Sequence, residues 1–203
     1  MSYSQNREEE FILKYFGDRV GTFLDVGSND GITLSNTRAL AERGWCGVLL
    51  DPSPKAFRKL KELYEKEKKG CFYLYECALG THNGKVTLHE SGPLLNDQDV
   101  ALVSTLKEEE TNRFKKTVSY TPVEVKVFRW KTFLNRLYIK DFSFISIDVE
   151  GLEIEIMEQM DFSKTEMICV ETNGSAEKKA ILDKMLLGFK VIYTSAENLI
   201  YAR

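Results

Sequence analysis

Residues 22–31 read TFLDVGSNDG, a short apolar run that ends at an acid and opens into a turn. An uninterrupted apolar run of this length is typical of a buried parallel strand. Gly27 and Gly31 allow the backbone to turn sharply and let a ligand approach it without a Cβ in the way. The segment therefore predicts a central strand followed by a ligand-binding turn.

Strands and helices alternate on both sides of this segment. Apolar residues at helical spacing predict helices at about 4–16, 32–43, 152–160 and 175–187, and one from 54 that ends in the charged run KEKKG (66–70). Further strands are predicted at WCGVLLD (45–51), CFYLYECALG (71–80), FSFISIDVEG (142–151), MICVET (167–172), GFKVIYTS (188–195) and NLIYAR (198–203). The repeated units predict an α/β fold, a Rossmann-like three-layer sandwich whose mostly parallel sheet ends in a terminal antiparallel hairpin.

The alternation breaks between residues 81 and 130. This part contains the β-like pieces KVTLHE, ALVSTL and TPVEVKVF and a charged helix-like stretch near 107–116, so it is interpreted as a β-hairpin-rich insertion. Loops on the carboxyl side of such a sheet usually recognise substrate, so we expect the insertion to cover an acceptor pocket. The length of 203 residues fits a single domain, 1–203, with an N-terminal helix inside residues 1–20.

The amino-acid composition counts against several classes of protein, including nucleic-acid-binding and membrane-spanning proteins. With 28 basic and 31 acidic residues the net charge is -3, which provides no basic field for nucleic acid. No apolar run reaches the roughly 20 residues of a membrane-spanning helix, and the N-terminus lacks a secretory signal pattern. The cysteines at 46, 71, 77 and 169 lie in or beside apolar runs without C-x-x-C spacing. They are predicted to be buried thiols of a cytoplasmic protein.

Polar residues gather where the predicted strands end. In open α/β sheets the ligand lies beyond the carboxyl ends of the strands. Asp51 lies 24 residues beyond Gly27, the spacing at which an acid after the second strand accepts hydrogen bonds from ribose hydroxyls. The strand ends read DVGSNDG (25–31), DPS (51–53), ECALG (76–80), DVEG (148–151) and ETN (171–173). Together they predict a site for an adenosine-type cofactor.

The residues of the first turn, DVGSNDG (25–31), indicate which cofactor of the adenosine type fits the site. A dinucleotide fingerprint requires G-x-G-x-x-G, but Asn29 replaces the middle glycine. Asp25 would repel a pyrophosphate at short range and could instead hold an ammonium group. S-adenosylmethionine, which has an ammonium, a sulfonium and a ribose but no phosphate, fits better. A nicotinamide-dependent oxidoreductase and a non-catalytic S-adenosylmethionine-binding module remain as alternatives.

The motifs LDVGSNDG, LLDPSP, ECALGTHNG, SIDVEGLE and ENLIYAR resemble the successive signatures of the FkbM-type class I methyltransferases. The resemblance runs from about Phe23 to Arg203. It implies a seven-stranded sheet in the order 3-2-1-4-5-7-6 and O-methylation of hydroxyls, often on sugars or other small molecules. The chain departs from the family pattern at Asp51, where a glutamate is common, and at Cys77, where an asparagine is frequent.

The resemblance also implies roles for individual residues. Asp25 is expected near the methionine amino group, Asp51 on the ribose, and Thr33 near the cofactor carboxylate at the start of the following helix. Cys77 and Ala78 are expected to border the adenine. The full predicted cofactor-binding set is Asp25, Gly27, Ser28, Asn29, Gly31, Thr33, Asp51, Pro52, Ser53, Cys77, Ala78 and Asp148.

Methyl transfer to a hydroxyl needs alignment and profits from a base. Asp148 and Glu150 are the predicted catalytic residues, because they follow the fourth strand beside the expected methyl position. The alternative bases are Glu171, His82 and His89. The three carboxylates could also converge on Mg²⁺, although no motif establishes a metal site. The expected partner is a small-molecule or glycan acceptor, and neither its identity nor an oligomeric state is predicted.

Overall fold

The computed structural model describes residues 2–94 and 101–203. Within them, two sheets are surrounded by short helices and turns. The strands are β1 (Thr22–Val26), β2 (Cys46–Leu50), β3 (Phe72–Tyr75), β4 (Ala78–Leu79), β5 (Gly84–Ser91), β6 (Tyr120–Phe128), β7 (Phe144–Ile147), β8 (Met167–Glu171), β9 (Lys190–Thr194) and β10 (Asn198–Ala202). The helices are α1 (Glu8–Phe16), α2 (Arg38–Glu42), α3 (Pro54–Tyr64), α4 (Thr111–Phe114), α5 (Trp130–Leu134), α6 (Glu153–Met157) and α7 (Ala176–Met185), with a 3-10 turn at Glu108–Glu110.

The larger sheet has seven strands in the order β3-β2-β1-β7-β8-β10-β9. Strand β1 pairs in parallel with β2 and with β7, while β10 is antiparallel to both β8 and β9. Counted within this sheet, the order is the predicted 3-2-1-4-5-7-6. The predicted Rossmann-like α/β fold with a terminal antiparallel hairpin is therefore confirmed.

The hydrophobic core lies on both faces of this sheet. Because side chains alternate along a strand, Phe23 and Leu24 of β1 point into different clusters. Helices α1, α2 and α3 cover the face that contains Phe23, and α5, α6 and α7 cover the other. Side chains from these helices that are 0–1% exposed include Ile12, Leu40, Leu60, Phe133, Ile156 and Leu182. The strand ends are thus held between two packed helical layers.

The predicted third strand, 71–80, is divided between the two sheets. Cys77 donates its N–H to the carbonyl of Tyr75, and this turn separates β3 from β4. Strand β4 pairs in parallel with β6, which pairs antiparallel with β5 in the smaller sheet. The predicted β-piece at 101–106 forms only an isolated bridge, between Thr105 and His89. Residues 95–100 of the predicted insertion lie outside the described residues.

The helix predicted at 32–43 begins only at Arg38. Asp30 Oδ1 accepts the N–H groups of Ile32 and Thr33, at 2.9 and 2.7 Å, and holds the preceding residues in a turn. Such side-chain acceptors compete with the helical backbone. Helix α1 also starts later than predicted, at Glu8, and both α3 and α6 end earlier, at Tyr64 and Met157.

Two of the four cysteines form a disulfide, Cys46–Cys71. Gly47 lies opposite Phe72 in the parallel pair β2/β3, so the two preceding residues are side by side, with Cα atoms 4.5 Å apart. The prediction of four thiols is therefore wrong for this pair, whereas Cys77 and Cys169 are buried and free. The cytoplasmic location stays a prediction. Among the described residues, no helix combines the length and apolar character that crossing a membrane requires.

Candidate functional site

A cavity of about 320 Å³ opens at the carboxyl edge of the seven-stranded sheet. Its wall is built mainly by the turns that follow β1, β2, β7 and β8, which is where ligands bind in open α/β sheets. The lining includes most of the predicted site residues: Asp25, Gly27, Ser28, Asn29, Thr33, Asp51, Pro52, Cys77, Ala78, Asp148, Glu150 and Glu171.

The turns after β1 and β7 touch each other through their backbones. Gly27 adopts φ +85°, and a Cβ at this position would lie 1.7 Å from the carbonyl oxygen of Asp148. The Asp148 N–H donates to the carbonyl of Val26 at 2.9 Å. The absence of a side chain at Gly27 therefore sets the distance between these two parts of the cavity wall.

Two predicted contact residues lie away from the cavity wall. A Cβ on Gly31 would meet the side chains of Leu60 and Tyr64, at 2.7 and 2.8 Å, so this glycine allows α3 to pack closely. The Ser53 side chain caps α3 by accepting the Ala56 N–H at 3.2 Å, and its hydroxyl donates to Glu90 at 2.6 Å. Gly31 and Ser53 therefore both connect the turns of the site to helix α3.

Asp25 and Asp51 are buried acids at the ends of β1 and β2. Asp25 accepts a hydrogen bond from the Thr37 hydroxyl at 2.6 Å, and burial raises the pKa of Asp25 to about 6. Asp51 accepts the N–H groups of Asn29 and Ser53, at 2.9 and 2.8 Å, and burial raises the pKa of Asp51 to about 7. A cationic group or additional hydrogen-bond donors in the cavity would favour the ionised form of each.

Thr33 lines the cavity from a turn rather than from a helix. Its N–H and its hydroxyl both donate to Asp30, at 2.7 and 2.8 Å. Helix α2 begins five residues later, at Arg38. The predicted position of Thr33 at the start of the helix is therefore wrong, whereas its proximity to the cofactor carboxylate stays a prediction.

Several polar residues of the lining are not predicted from the sequence, among them Gln5, Asn36 and Glu197. Asn36 Oδ1 and Ser28 Oγ are buried and have no hydrogen-bond partner among the described residues. Unpaired buried polar atoms are costly, so these two fit a cavity that receives a polar ligand. No pattern in the sequence places Asn36 here, because its Nδ2 is held by Ser146 and Cys169, which are distant in the chain.

Gln5 and Glu197 come from opposite ends of the described chain. Asn6 Nδ2 donates to Glu197 at 2.5 Å. Nearby, the fully buried Glu8 carboxylate accepts from Asn198 Nδ2 at 3.0 Å and from the Ser195 hydroxyl at 3.1 Å. The segment before α1 and the β9–β10 turn therefore form one continuous part of the wall.

The remaining wall is partly apolar and includes Leu50, Leu79 and Leu88 beside Cys77 and Ala78. Burial raises the pKa of the Cys77 thiol to about 12, so the thiol stays protonated at neutral pH. A protonated buried thiol behaves as a small hydrophobic group. This part of the wall suits a flat, weakly polar ligand such as a nucleobase.

Three carboxylates converge after β7 and β8. One oxygen each of Asp148, Glu150 and Glu171 lies within 4.8 Å of the others. Burial, reinforced by Glu171, raises the pKa of Glu150 to about 8; burial, reinforced by Asp148, raises that of Glu171 to about 9. Burial and Glu150 also raise the pKa of Asp148 well above its ordinary value. We call Asp148, Glu150 and Glu171 the carboxylate cluster.

Residues of the insertion hold Glu150 in place. The Arg113 guanidinium lies 2.9 Å from the Glu150 carboxylate. The Thr105 hydroxyl donates to the Glu150 carbonyl at 2.7 Å, and Glu150 adopts φ +54°. The alternative bases His82 and His89 are not among the residues that line the cavity. The described residues therefore bring together the carboxylates but not the histidines.

Comparison with known proteins agrees with this arrangement. Residues 25–191 match the family model described as the methyltransferase FkbM domain. The chain belongs to the FkbM methyltransferase family. The family assignment covers the whole region from the first turn of the cavity to β9, and it confirms the resemblance to class I S-adenosylmethionine-dependent methyltransferases.

Solved structures show the same fold as this FkbM methyltransferase at low identity. The ribosomal protein L11 methylase from Lactobacillus delbrueckii subsp. bulgaricus is 11% identical, with 97% of this chain and 76% of that chain covered and a TM-score of 0.52. The precorrin 8W decarboxylase from Methanobacterium thermoautotrophicum is 14% identical, with 100% and 92% covered and a TM-score of 0.52. No curated protein matches the chain in sequence.

Proposed function

We propose that this FkbM methyltransferase transfers the methyl group of S-adenosylmethionine to a hydroxyl of a sugar, glycan or other small molecule. The observation that carries the proposal is the single cavity that Asp25, Asp51 and Asp148 share at the ends of three adjacent strands. When bound, S-adenosylmethionine supplies a methyl group activated by the neighbouring sulfonium.

In this proposal, the buried acids and the unpaired polar atoms of the cavity bind the cofactor. Asp25 would hold the ammonium group and Asp51 the ribose hydroxyls, since each is a buried carboxylate whose ionised form a donor would stabilise. Ser28 Oγ and Asn36 Oδ1 offer unpaired polar atoms to the rest of the ligand. Gly27, Asn29, Thr33 and Pro52 would contact it along the turns, with Cys77 and Ala78 beside the base.

The charge of the cavity favours this cofactor over a dinucleotide. Six acids line it: Asp25, Asp51, Asp148, Glu150, Glu171 and Glu197. Carboxylates at short range repel a pyrophosphate and attract a ligand with cationic groups. The carboxylates of the cavity therefore favour S-adenosylmethionine over a nicotinamide dinucleotide.

The catalytic side of the proposal assigns Asp148 and Glu150 to the acceptor hydroxyl. Both line the cavity after β7, and Arg113 and Thr105 hold Glu150. Aligning the hydroxyl is worth roughly 7–11 kcal/mol in favourable cases, and a base adds roughly 10²–10⁴-fold. Arg113, Phe114 and Leu88 also line the cavity, which supports the proposal that the insertion at 81–130 covers the acceptor.

The proposal can be tested by binding calorimetry and then by a turnover assay. Binding of S-adenosylmethionine and of its demethylated product without binding of NAD is expected, whereas binding of NAD alone would contradict it. Turnover against a panel of sugars and other hydroxyl compounds then separates an enzyme from a non-catalytic binding module. Asp148→Asn should reduce turnover by about 10²-fold or more, a far larger effect than its effect on cofactor affinity. Asp141→Asn, at an exposed acid away from the cavity, is the control.

A further inference from the structure

We infer that the carboxylate cluster of Asp148, Glu150 and Glu171 is a binding site for a divalent cation of the Mg²⁺ or Mn²⁺ type. The site lies in the wall of the cavity, and its three residues come from the turn after β7 and the end of β8. The inference stands on the geometry and charge of these residues, and cation binding can be measured without methyl transfer.

The spacing of the oxygens suits a shared ion. One oxygen from each carboxylate lies within 4.8 Å of the other two. Mg²⁺ and Ca²⁺ bind oxygen at about 2.1–2.5 Å, so two ligands of one ion are at most about 4–5 Å apart. The separation of up to 4.8 Å is therefore within or close to the span of one cation.

A second observation points to a missing partner. Glu171 is only 5% exposed, and its Oε2 has no hydrogen-bond partner among the described residues. An unpaired carboxylate oxygen in a buried position is costly unless a cation or a donor reaches it. Glu171 lines the cavity and its carboxylate faces the other two acids. A cation bound between the three would supply the missing partner.

When ionised, the carboxylate cluster carries more negative charge than the cations beside it balance. Arg113 is the one cation of the described chain within ion-pair distance of the cluster, and it contacts Glu150. Lys178, the next cation nearby, pairs with Glu153 at 2.8 Å instead. Three carboxylates therefore share one guanidinium, which itself also contacts Glu110 at 3.5 Å. A divalent cation would neutralise this excess.

The ligand set determines which cations fit. Carboxylate oxygens without nitrogen or sulfur ligands select hard cations such as Mg²⁺, Mn²⁺ and Ca²⁺. Mg²⁺ prefers six oxygen ligands and retains water, so three protein oxygens leave positions open. If the proposed function holds, an acceptor hydroxyl, or two neighbouring hydroxyls of a sugar, would take those positions and lose a proton more readily.

Manganese binding tests the site on the full chain. The protein is stripped with EDTA and titrated with Mn²⁺, and the free ion is followed by electron paramagnetic resonance. We expect one saturable site per chain that Mg²⁺ displaces. Glu171→Gln should weaken it by at least about tenfold, which is the lower range of losses seen when metal-supporting residues are removed. Glu110→Gln should bind Mn²⁺ normally, since Glu110 contacts Arg113 but lies outside the cluster.

Thermal unfolding with and without Mg²⁺ distinguishes a variant that has lost the cation site from one that does not fold. Mg²⁺ should raise the unfolding temperature of the wild type, because a ligand that binds only the folded state stabilises it, and should not raise that of Glu171→Gln or Glu150→Gln. Absence of saturable Mn²⁺ binding in the wild type, or unchanged binding in both variants, would overturn the inference. Cofactor affinity measured in parallel distinguishes this failure from a failure of the proposed function.

Discussion

The carbonyl oxygen of Asp148 occupies the space that a side chain on Gly27 would need. A Cβ on this glycine would lie only 1.7 Å from that oxygen. Gly27 belongs to the proposed cofactor side of the cavity and Asp148 to the proposed acceptor side. The closeness of the two turns therefore sets the distance between the two halves of the site.

Gly27→Ala should disrupt this contact and destabilise the protein severely. The new Cβ cannot remain 1.7 Å from a backbone oxygen, so one of the two turns must move. We expect a loss of unfolding free energy well above the roughly 1–2 kcal/mol that a left-handed non-glycine residue costs. Urea unfolding measures it, and cofactor calorimetry on the remaining folded protein should show weakened binding.

Gly44→Ala is the matched control for that variant. Gly44 has φ +90°, close to the +85° of Gly27, but a Cβ there would meet nothing within 4 Å. Both substitutions therefore introduce similar backbone strain, and only one introduces a clash. Equal losses of stability in the two variants would contradict the importance of the Gly27–Asp148 contact.

Asp51→Ala should weaken cofactor binding by about 1–3 kcal/mol, or about 5- to 150-fold in Kd, through loss of charge-assisted hydrogen bonds to the ribose. Isothermal calorimetry with S-adenosylmethionine measures the change. Ser53→Ala removes the adjacent helix cap and should cost about 0.5–2 kcal/mol of stability without a change in affinity. If both variants bind the cofactor as the wild type does, Asp51 does not contact the ribose.

The raised pKa of Asp51 predicts opposite pH dependences for stability and affinity. Its folded pKa of about 7 exceeds the unfolded value of about 4, so the folded state holds the proton more tightly between these values. The unfolding free energy without ligand should therefore fall as pH rises from about 4 to about 7, at up to roughly 1.4 kcal/mol per pH unit. Cofactor affinity should rise as pH increases through about 7, because the ionised carboxylate accepts hydrogen bonds.

Asp51→Asn separates this contribution from those of the other buried acids. Asp25, with a pKa raised to about 6, adds a dependence of the same sign. Urea unfolding at several pH values should show a shallower slope in the variant than in the wild type. An identical slope would mean that Asp51 does not carry a raised pKa.

Reduction of the Cys46–Cys71 disulfide should lower the unfolding free energy by about 2–4 kcal/mol. The bond closes a loop with a sequence separation of 25 residues, and a loop of that length corresponds to about 3.5 kcal/mol in the chain-entropy estimate. Urea unfolding with and without dithiothreitol measures the loss. Thiol titration of the unfolded chain without reductant should find two thiols, those of Cys77 and Cys169; four would show that the bond is absent.

The sequence predicted the sheet well because each buried strand is a compact apolar run with an acid or glycine at its end. It also placed Asp25, Asp51 and Asp148 in one cavity, since all parallel strands present their carboxyl ends to the same edge. It failed where side chains compete with the backbone: the hydrogen bonds to Asp30 shorten the predicted helix before Arg38.

The remaining errors concern relationships between distant parts of the chain. The disulfide depends on the register of β2 and β3, which the sequence spacing of the cysteines does not reveal. Gly31, a predicted ligand contact, lies outside the residues that line the cavity, and its lack of a side chain lets α3 pack closely. Asn36 and Glu197 reach the cavity through tertiary contacts that leave no local pattern.

The joining of the first and last elements at the cavity wall has a consequence for biosynthesis. Glu8 and Asn198 are 190 positions apart in the chain, yet they share a buried hydrogen bond. A ribosome releases the β9–β10 hairpin long after α1, so this part of the binding site completes only once that hairpin has emerged. Contacts of such long range also slow folding. Cofactor binding would therefore do little to stabilise a nascent chain before β9 and β10 have folded.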